Sequence, residues 1–505
     1  MHGLIFGGQL EDLGLEFDPS LVSIRRSSGG HKIATFLRRH DYDIDVVDYV
    51  HRWDIEQLKA YIESKVTDKC LFFGFGSTFF LNTPTVLSLC KWLKERYPHI
   101  PLVAGSQNHS MMELEMDWYI YGYGENAILA LLDHFRGGPE PIHMNRMINC
   151  YVNYKSFPQD DLTVSYQEDD FIQPREILLL EFARGCKFKC KFCSFPVLGV
   201  KGDYSRTAES VYDEMLRNYD LFGTEHYIVL DETFNDSSQK IEKFANVIEK
   251  LPFTPKMTAY IRADLITSKK QDWDNLIKMG ITSHFYGVES MNHESAKSIG
   301  KGMDSGRIQE GLLEVDEYFR KNAGFYKGHI SLIAGLPHET IDTLRETGQW
   351  LSNYWNQNSY HMNVLMIKDL ERNTETLNHN SEFDKRWFDY GYRREIIPLD
   401  DIDWSKSRNP YYKGLYDYVK STGYYLFWRN EHTTLHEVMR FCAEEFSEYQ
   451  AKNLIDPFMY DKFFIDPDVK WEDFATKIHM ERRTEHVLNH IDSYIEKKIR
   501  TAALV

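Results

Sequence analysis

Long apolar runs are missing from this sequence, so no helix long and apolar enough to span a bilayer is expected. An excess of positive charge is also missing. Lys and Arg number 59 against 76 Asp and Glu, a net charge of -17, which argues against a large nucleic-acid surface. Cysteine is scarce, seven in 505 residues, which excludes a disulfide framework. Internal repeats and low-complexity tracts are absent, which removes solenoids and disordered tails from consideration. The opening stretch, Met1 to Gly14, lacks a basic leader, and Glu11 and Asp12 follow at once. It is expected to be a first strand rather than a signal peptide, in a protein of the reducing cytoplasm. At 42% apolar residues, a chain of this length is expected to fold as two or three domains.

What is present is alternation. Residues 1–135 read as a βα series with strands at Gly3–Gly7, Ile44–Tyr49, Cys70–Phe75, Pro101–Ala104 and Trp118–Tyr121. Helices are expected between them, for example over Ile55–Lys65 and Thr85–Arg96. The pattern implies a Rossmann-like parallel sheet with any ligand at the carboxyl ends of its strands. Residues 136–175 read as a linker, with Gly137-Gly138-Pro139. A second series follows over 176–370, with strands at Ile177–Glu181, His226–Leu230, Lys256–Ile261, His284–Val288, His329–Ala334 and His361–Ile367. Six βα units suit an open partial (β/α)6 barrel. Residues 371–505 are rich in Tyr and Trp, end in a helix expected over Thr484–Arg500, and read as a mixed accessory or substrate domain.

Four cysteines, Cys70, Cys90, Cys150 and Cys442, are scattered and read as buried small hydrophobes. The other three are crowded as Cys186-Lys187-Phe188-Lys189-Cys190-Lys191-Phe192-Cys193, a C-x3-C-x2-C spacing after a strand. Three thiolates in one loop suit a four-iron cluster with one iron left open to a small molecule. Structural zinc usually takes four ligands in C-x2-C pairs, and a fourth ligand is not obvious here, although distant His residues exist.

That loop, with Phe192 just before its last Cys, resembles the radical S-adenosylmethionine (SAM) superfamily. The resemblance assigns Cys186, Cys190 and Cys193 to a [4Fe–4S] cluster. It continues through Asp231-Glu232 at the second strand end, where the family binds the SAM amino group, and Arg262 at the third. Glu289 and Ser290 end the fourth strand, where ribose and carboxylate are met, and Leu336 lies at the fifth, where backbone meets adenine. The implied chemistry is reductive cleavage of SAM to a 5′-deoxyadenosyl radical, fed by an electron donor such as flavodoxin or ferredoxin. The preceding domain is similar to the cobalamin-binding branch of that superfamily, many members of which are C-methyltransferases. Its implied cobalamin contacts are Ser77, Thr78, Gly105, Ser106, Gln107, Gly122 and Glu125. The D-x-H-x-x-G cobalt-ligand motif is absent from residues 1–150, and His31 and His109 read as surface loop residues. The tail's aromatics read first as core; the alternative is a lid or substrate wall, for which Trp428, Arg429, His432 and Thr433 are the polar and aromatic neighbours.

The leading expectation is cobalamin-dependent methylation of an unactivated carbon. The alternatives are a cobalamin-independent radical SAM rearrangement, cyclisation or sulfur insertion, and a non-catalytic zinc- or cluster-stabilised binding protein. The substrate class stays open among peptide, lipid, nucleotide and small molecule.

Overall fold

The computed structural model describes residues 1–7, 26–76, 84–106, 115–154, 162–173, 176–193, 204–301, 304–371, 380–452 and 477–502. Contacts group the chain into two compact units. One comprises 1–180, 209–224 and 476–505, and the other 181–208 and 225–475.

The first unit is built on strands β1 (His2–Phe6), β2 (Asp43–Val47), β3 (Cys70–Gly76), β4 (Leu102–Ser106), β5 (Trp118–Tyr121) and β6 (Met147–Asn149). They lie in the order β2-β1-β3-β4-β5-β6, and every pairing is parallel. Local sequence starts the intervening helices. Ser27 caps Ser28–Arg38 by accepting from Gly30 N, and Asp54 caps Ile55–Lys65 by accepting from the amides of Glu56 and Gln57. Ile5, Val46, Phe72, Val103 and Ile120 form a fully apolar seam against Leu37, Leu131 and Leu132. The strand order reverses between β1 and β3, and such a reversal opens a crevice at the strands' carboxyl ends. β6 falls inside the stretch expected to be linker. It is three residues long, too short for periodicity to reveal.

The second sheet contains β7 (Leu178–Leu180), β8 (His226–Val229), β9 (Lys256–Ile261), β10 (Ile281–Glu289), β11 (Lys327–Ala334) and β12 (Ser359–Val364). Its order follows the sequence without reversal, β12-β11-β10-β9-β8-β7. Right-handed crossovers between consecutive parallel strands place every helix on one face, so the sheet curls into an open barrel. Alternation fixes the two faces. His284 and Tyr286 of β10 pack on Phe319 and Trp355 of the outer helices. The intervening Phe285 lines the inner wall beside Tyr260 and His329.

Residues 380–452 belong to this second unit, where the two-residue strands β13 (Arg393–Arg394) and β14 (Trp428–Arg429) pair antiparallel. The C-terminal helix, Lys477–Ala502, belongs to the first unit. There Tyr494 Oη accepts from Asp48 N at 2.9 Å, and Lys498 Nζ donates to Asp45 at 2.7 Å. Among the described residues no helix is long and apolar enough to cross a membrane.

Candidate cluster and SAM site

The cysteine loop leaves β7 and is held from below by two carboxylates. Asp231, 1% exposed at the end of β8, accepts from the amides of Phe182 at 2.8 Å and Ala183 at 3.1 Å. Burial raises its pKa, while Lys240 Nζ, 3.5 Å away, counters part of that rise. Glu232 accepts from Gly185 N at 2.9 Å. These two side chains, expected to meet SAM, are engaged in shaping the loop.

The three thiols are half-buried, whereas Cys70, Cys90, Cys150 and Cys442 are buried. Cys186 Sγ lies 3.6 Å from Thr233 Oγ1. Arg262 Nη1 donates to Cys190 Sγ at 3.4 Å, and its guanidinium stacks 4.1 Å from the Phe188 ring centre. Arg262 Nε also pairs with Asp264 at 2.8 Å, so this side chain both closes a local ion pair and reaches the sulfur. Asn235 joins β8 to β9 through a reciprocal amide pair with the Arg262 backbone, at 2.8 and 3.0 Å.

The ends of β10 and β11 complete the rim. Glu289 adopts φ 69°, a left-handed conformation unusual for a side chain of its size, and sits 3.4 Å from Lys301 Nζ. Burial raises its pKa, and Lys301 opposes the rise. The next residue, Ser290, donates to Glu339 Oε1 at 2.5 Å. Glu339 Oε2 accepts from the amides of Gly335 at 2.9 Å and Leu336 at 3.1 Å. Leu336 is fully buried, so its backbone is what the rim offers. Sequence reading passed over Glu339 as part of a turn, yet it ties two strand ends together.

Burial pushes the Glu339 carboxyl up to about 7 from 4.5. The folded state therefore binds this proton more tightly than the unfolded chain. The resulting stabilisation is complete below about pH 4.5 and is lost as pH rises through about 7, at up to about 1.4 kcal/mol per pH unit. Glu339→Gln keeps an acceptor for the two amides and removes the titration. Its urea midpoint is expected to vary less than wild type between pH 5 and 8; parallel curves for the two proteins would contradict this.

Trp428 is fully buried, with its indole edge over Gly335 and Nε1 donating to Leu365 O at 2.9 Å. A Cβ at Gly335 would lie 2.5 Å from that ring, and φ there is 92°. Tyr392 donates to Gly335 O at 2.7 Å. These tail aromatics pack against the β11 rim as core side chains, as their favoured reading expects. Arg429 and His432 pair with the nearby carboxylates Glu395 and Glu431.

The inner wall below the rim was not singled out by sequence. Tyr260, Phe285, His329 and Ser359 share one rung across β9–β12. His329 Nδ1 meets Ser359 Oγ at 2.7 Å, and its Nε2 meets His361 Nδ1. His361 Nε2 faces Asn363 Nδ2 at 3.0 Å and Ser331 Oγ at 3.2 Å. Burial lowers the His329 pKa well below the usual imidazole value, and His361 and Lys327 lower it further. The available signal was alternation. His329, Ser331, His361 and Asn363 interleave with apolar residues, whereas a parallel strand covered on both faces reads as continuously apolar.

In the first unit, Gly105 is the penultimate residue of β4, with no described atom within 4 Å of where a Cβ would stand. Gly122 has φ 105°, and a Cβ there would lie 2.6 Å from Tyr151. Its glycine is demanded by packing as well as by the turn. Glu125 is buried as the first residue of the helix Glu125–Phe135. Ser106 ends β4; Ser77, Thr78, Gln107 and His109 lie outside the described residues. His31 departs from expectation. It lies on the helix Ser28–Arg38, fully buried, with Nε2 2.8 Å from Asp48 Oδ2. The helix itself is expected from Ile33, Ala34 and Leu37; its first turn, Ser28-Gly29-Gly30-His31, lacks apolar residues and reads as loop.

Among the described residues, no three His, Cys, Asp or Glu side chains gather as a single metal ion would require. The donor set is still informative by its chemistry. Three thiols are half-buried in one loop, one of them facing a guanidinium, while the four other thiols are buried. That set suits a polynuclear iron–sulfur group with one open iron.

Residues 180–351 match the family described as the radical SAM superfamily. The hopanoid C-3 methylase of Methylococcus capsulatus is 22% identical over 329 residues, 60% of this chain. The match spans 58% of that relative's length. The radical SAM methyltransferase TsrM of Kitasatospora setae, solved with cobalamin and a [4Fe–4S] cluster, aligns over 99% of both chains. Its TM-score is 0.61 at 11% identity. The cobalamin-dependent SAM radical enzyme OxsB, solved with aqua-cobalamin, aligns over 77% of this chain and 55% of its own, with a TM-score of 0.51 at 17% identity. At these identities the likeness establishes the fold.

Proposed function

We propose that this chain, which carries a radical SAM domain over residues 180–351, is a cobalamin-dependent enzyme that methylates an unactivated carbon. The observation that carries the reading is the joining of the cysteine loop to three successive strand ends. Glu232 and Thr233 hold it at β8 and Arg262 at β9, while Ile299 O, beyond β10, accepts from Lys191 N at 3.2 Å. The likeness over nearly the whole chain to TsrM, and the further likeness to OxsB, support extending it to cobalamin.

Cys186, Cys190 and Cys193 would hold the cluster, which when bound supplies the electron for SAM cleavage, while cobalamin supplies the methyl group. Arg262 donates to the Cys190 sulfur and stiffens the loop through Phe188. The Glu289 carboxylate and the Leu336 backbone would meet ribose and adenine, and Ser290 ties the rim between them to Glu339. Tyr260, Phe285 and His361 supply a wall of flat rings and one polar edge for the substrate. Cobalamin would approach the carboxyl ends of the first sheet, where no described atom lies within 4 Å of the Gly105 Cβ position. The protein is proposed to work in the cytoplasm.

The test is anaerobic reconstitution with iron and sulfide, addition of hydroxocobalamin, desalting, and assay of 5′-deoxyadenosine from SAM under reducing conditions. Stoichiometric corrinoid retention together with SAM cleavage is expected. Gly105→Leu should retain the cluster and lose at least about tenfold in corrinoid affinity, because its side chain would stand at the strand end where no described atom lies within 4 Å. Gly122→Leu is the poorer probe, since it collides with Tyr151. SAM cleavage without corrinoid retention by wild type would return the reading to a cobalamin-independent radical SAM reaction.

A further inference from the structure

The strand end that carries Glu289 folds back on itself. β10 and β11 slip register between Gly287 and Glu289, a bulge of the kind that re-aims side chains. At the slip Glu289 has φ 69°, and its carboxylate lies back over Gly287, where a Cβ would stand 2.6 Å from Oε1. Glycine at 287 leaves room for that carboxylate. The cation that meets it comes from the next helix. Asn292 caps His293–Ser298 by accepting from Ser295 N. The helix stops at Gly300, φ 85°, with Gly300 N donating to Lys297 O at 3.1 Å and Lys301 N to Ala296 O at 2.9 Å. That stop aims Lys301 at the bulge. Its Nζ donates to Gly287 O at 2.7 Å and lies 3.4 Å from Glu289 Oε1, the two side chains being 13% and 12% exposed.

Stability does not call for this arrangement. A buried ion pair is often no more stabilising than packed apolar side chains of the same volume, and a left-handed glutamate adds strain. Burial raises the Glu289 pKa, and Lys301 first and Arg262 second oppose the rise. The neighbouring Ser290 is turned instead to Glu339. We propose that Lys301 is a positioning residue: it holds the Glu289 carboxylate charged and in place for the ribose hydroxyls of SAM, without itself meeting SAM. The inference rests on the radical SAM reading. A charged carboxylate accepts strongly from two hydroxyls, whereas a protonated one accepts weakly and carries a proton of its own.

The test is a double-mutant cycle on the reconstituted, iron-loaded full-length protein, read as SAM affinity by equilibrium dialysis. Lys301→Met keeps the alkyl stem and removes the charge, and should weaken SAM binding by roughly tenfold at pH 7. In a Glu289→Gln background the same change should cost less than about twofold, because the group it acts on is gone. Lys301→Arg should recover most of the affinity. The pH profile is an independent readout. The ratio of Lys301→Met to wild-type Kd should fall between pH 6 and pH 8, since a buried Glu289 without Lys301 ionises only at higher pH. Unchanged affinity in Lys301→Met, equal losses in both backgrounds, or a ratio independent of pH would each overturn the proposal, and equal losses are what direct contact with SAM or plain packing would give. All three leave the radical SAM reading standing. Failure of the iron-loaded wild type to bind SAM would overturn both.

Discussion

Replacing Cys186, Cys190 and Cys193 together with Ala is expected to reduce bound iron from about four per chain to near zero and to abolish 5′-deoxyadenosine formation. The three thiols come from one loop, and no other cysteine of the chain is placed to substitute. Burial pushes the Cys70 thiol up to about 11, and those of Cys90 and Cys150 to about 12. Cys442 is fully buried with its thiol raised further, so all four remain neutral where iron needs thiolates. Cys70→Ala and Cys442→Ala should therefore keep full iron and full SAM cleavage, with only a modest packing loss. Single Ala variants of the loop cysteines separate ligation from folding: each should lose activity while retaining a wild-type far-ultraviolet spectrum. Iron, sulfide and 5′-deoxyadenosine assays decide it, and normal iron in the triple variant would refute the assignment.

Much of this site could be read in the sequence because its chemistry is local. The C-x3-C-x2-C spacing sits within eight residues, and each rim motif follows a strand whose apolar run is legible on its own. Helix limits such as Ile55–Lys65 and strands such as Trp118–Tyr121 and Lys256–Ile261 were legible to the residue, since capping and periodicity act over a few positions. Roles set by distant partners were not legible. Asp231 and Glu232 read as ligand groups, and the sequence gives no sign that they also accept from amides about 47 to 49 residues earlier. Glu339 is a turn residue until Ser290, 49 positions away, is seen to bond it. The C-terminal helix likewise shows an amphipathic pattern, but nothing in that pattern says that Tyr494 and Lys498 bond to Asp48 and Asp45, some 450 positions earlier.

The same long-range blindness hid a buried charge network in the first unit, and Arg26→Met is expected to cost about 3–5 kcal/mol of stability. Arg26 is 4% exposed. Its guanidinium donates to Glu176 through Nε, to Asp48 Oδ2 at 2.8 Å and to the carbonyl of Asp170 at 2.7 Å. It also lies 4.9 Å from the ring centre of Tyr494 on the C-terminal helix. Burial alone would raise the pKa of both acids, yet His31 and Arg26 hold Asp48 below the usual range. Arg26 and His490 hold Glu176 far below it. Methionine matches much of the alkyl stem and removes the charge, so Glu176 loses its main cation and Asp48 one of its two while packing is nearly kept. These acids are more easily ionised folded than unfolded, so their stabilisation is present above about pH 4.5 and lost as pH falls below it. Arg26→Met should therefore lower the urea midpoint most at neutral pH, and the gap from wild type should narrow toward acid. A plain packing defect would give a gap independent of pH. The decisive outcome is thus the pH dependence: a constant difference between pH 7 and pH 4 would show that the network holds no net electrostatic stabilisation.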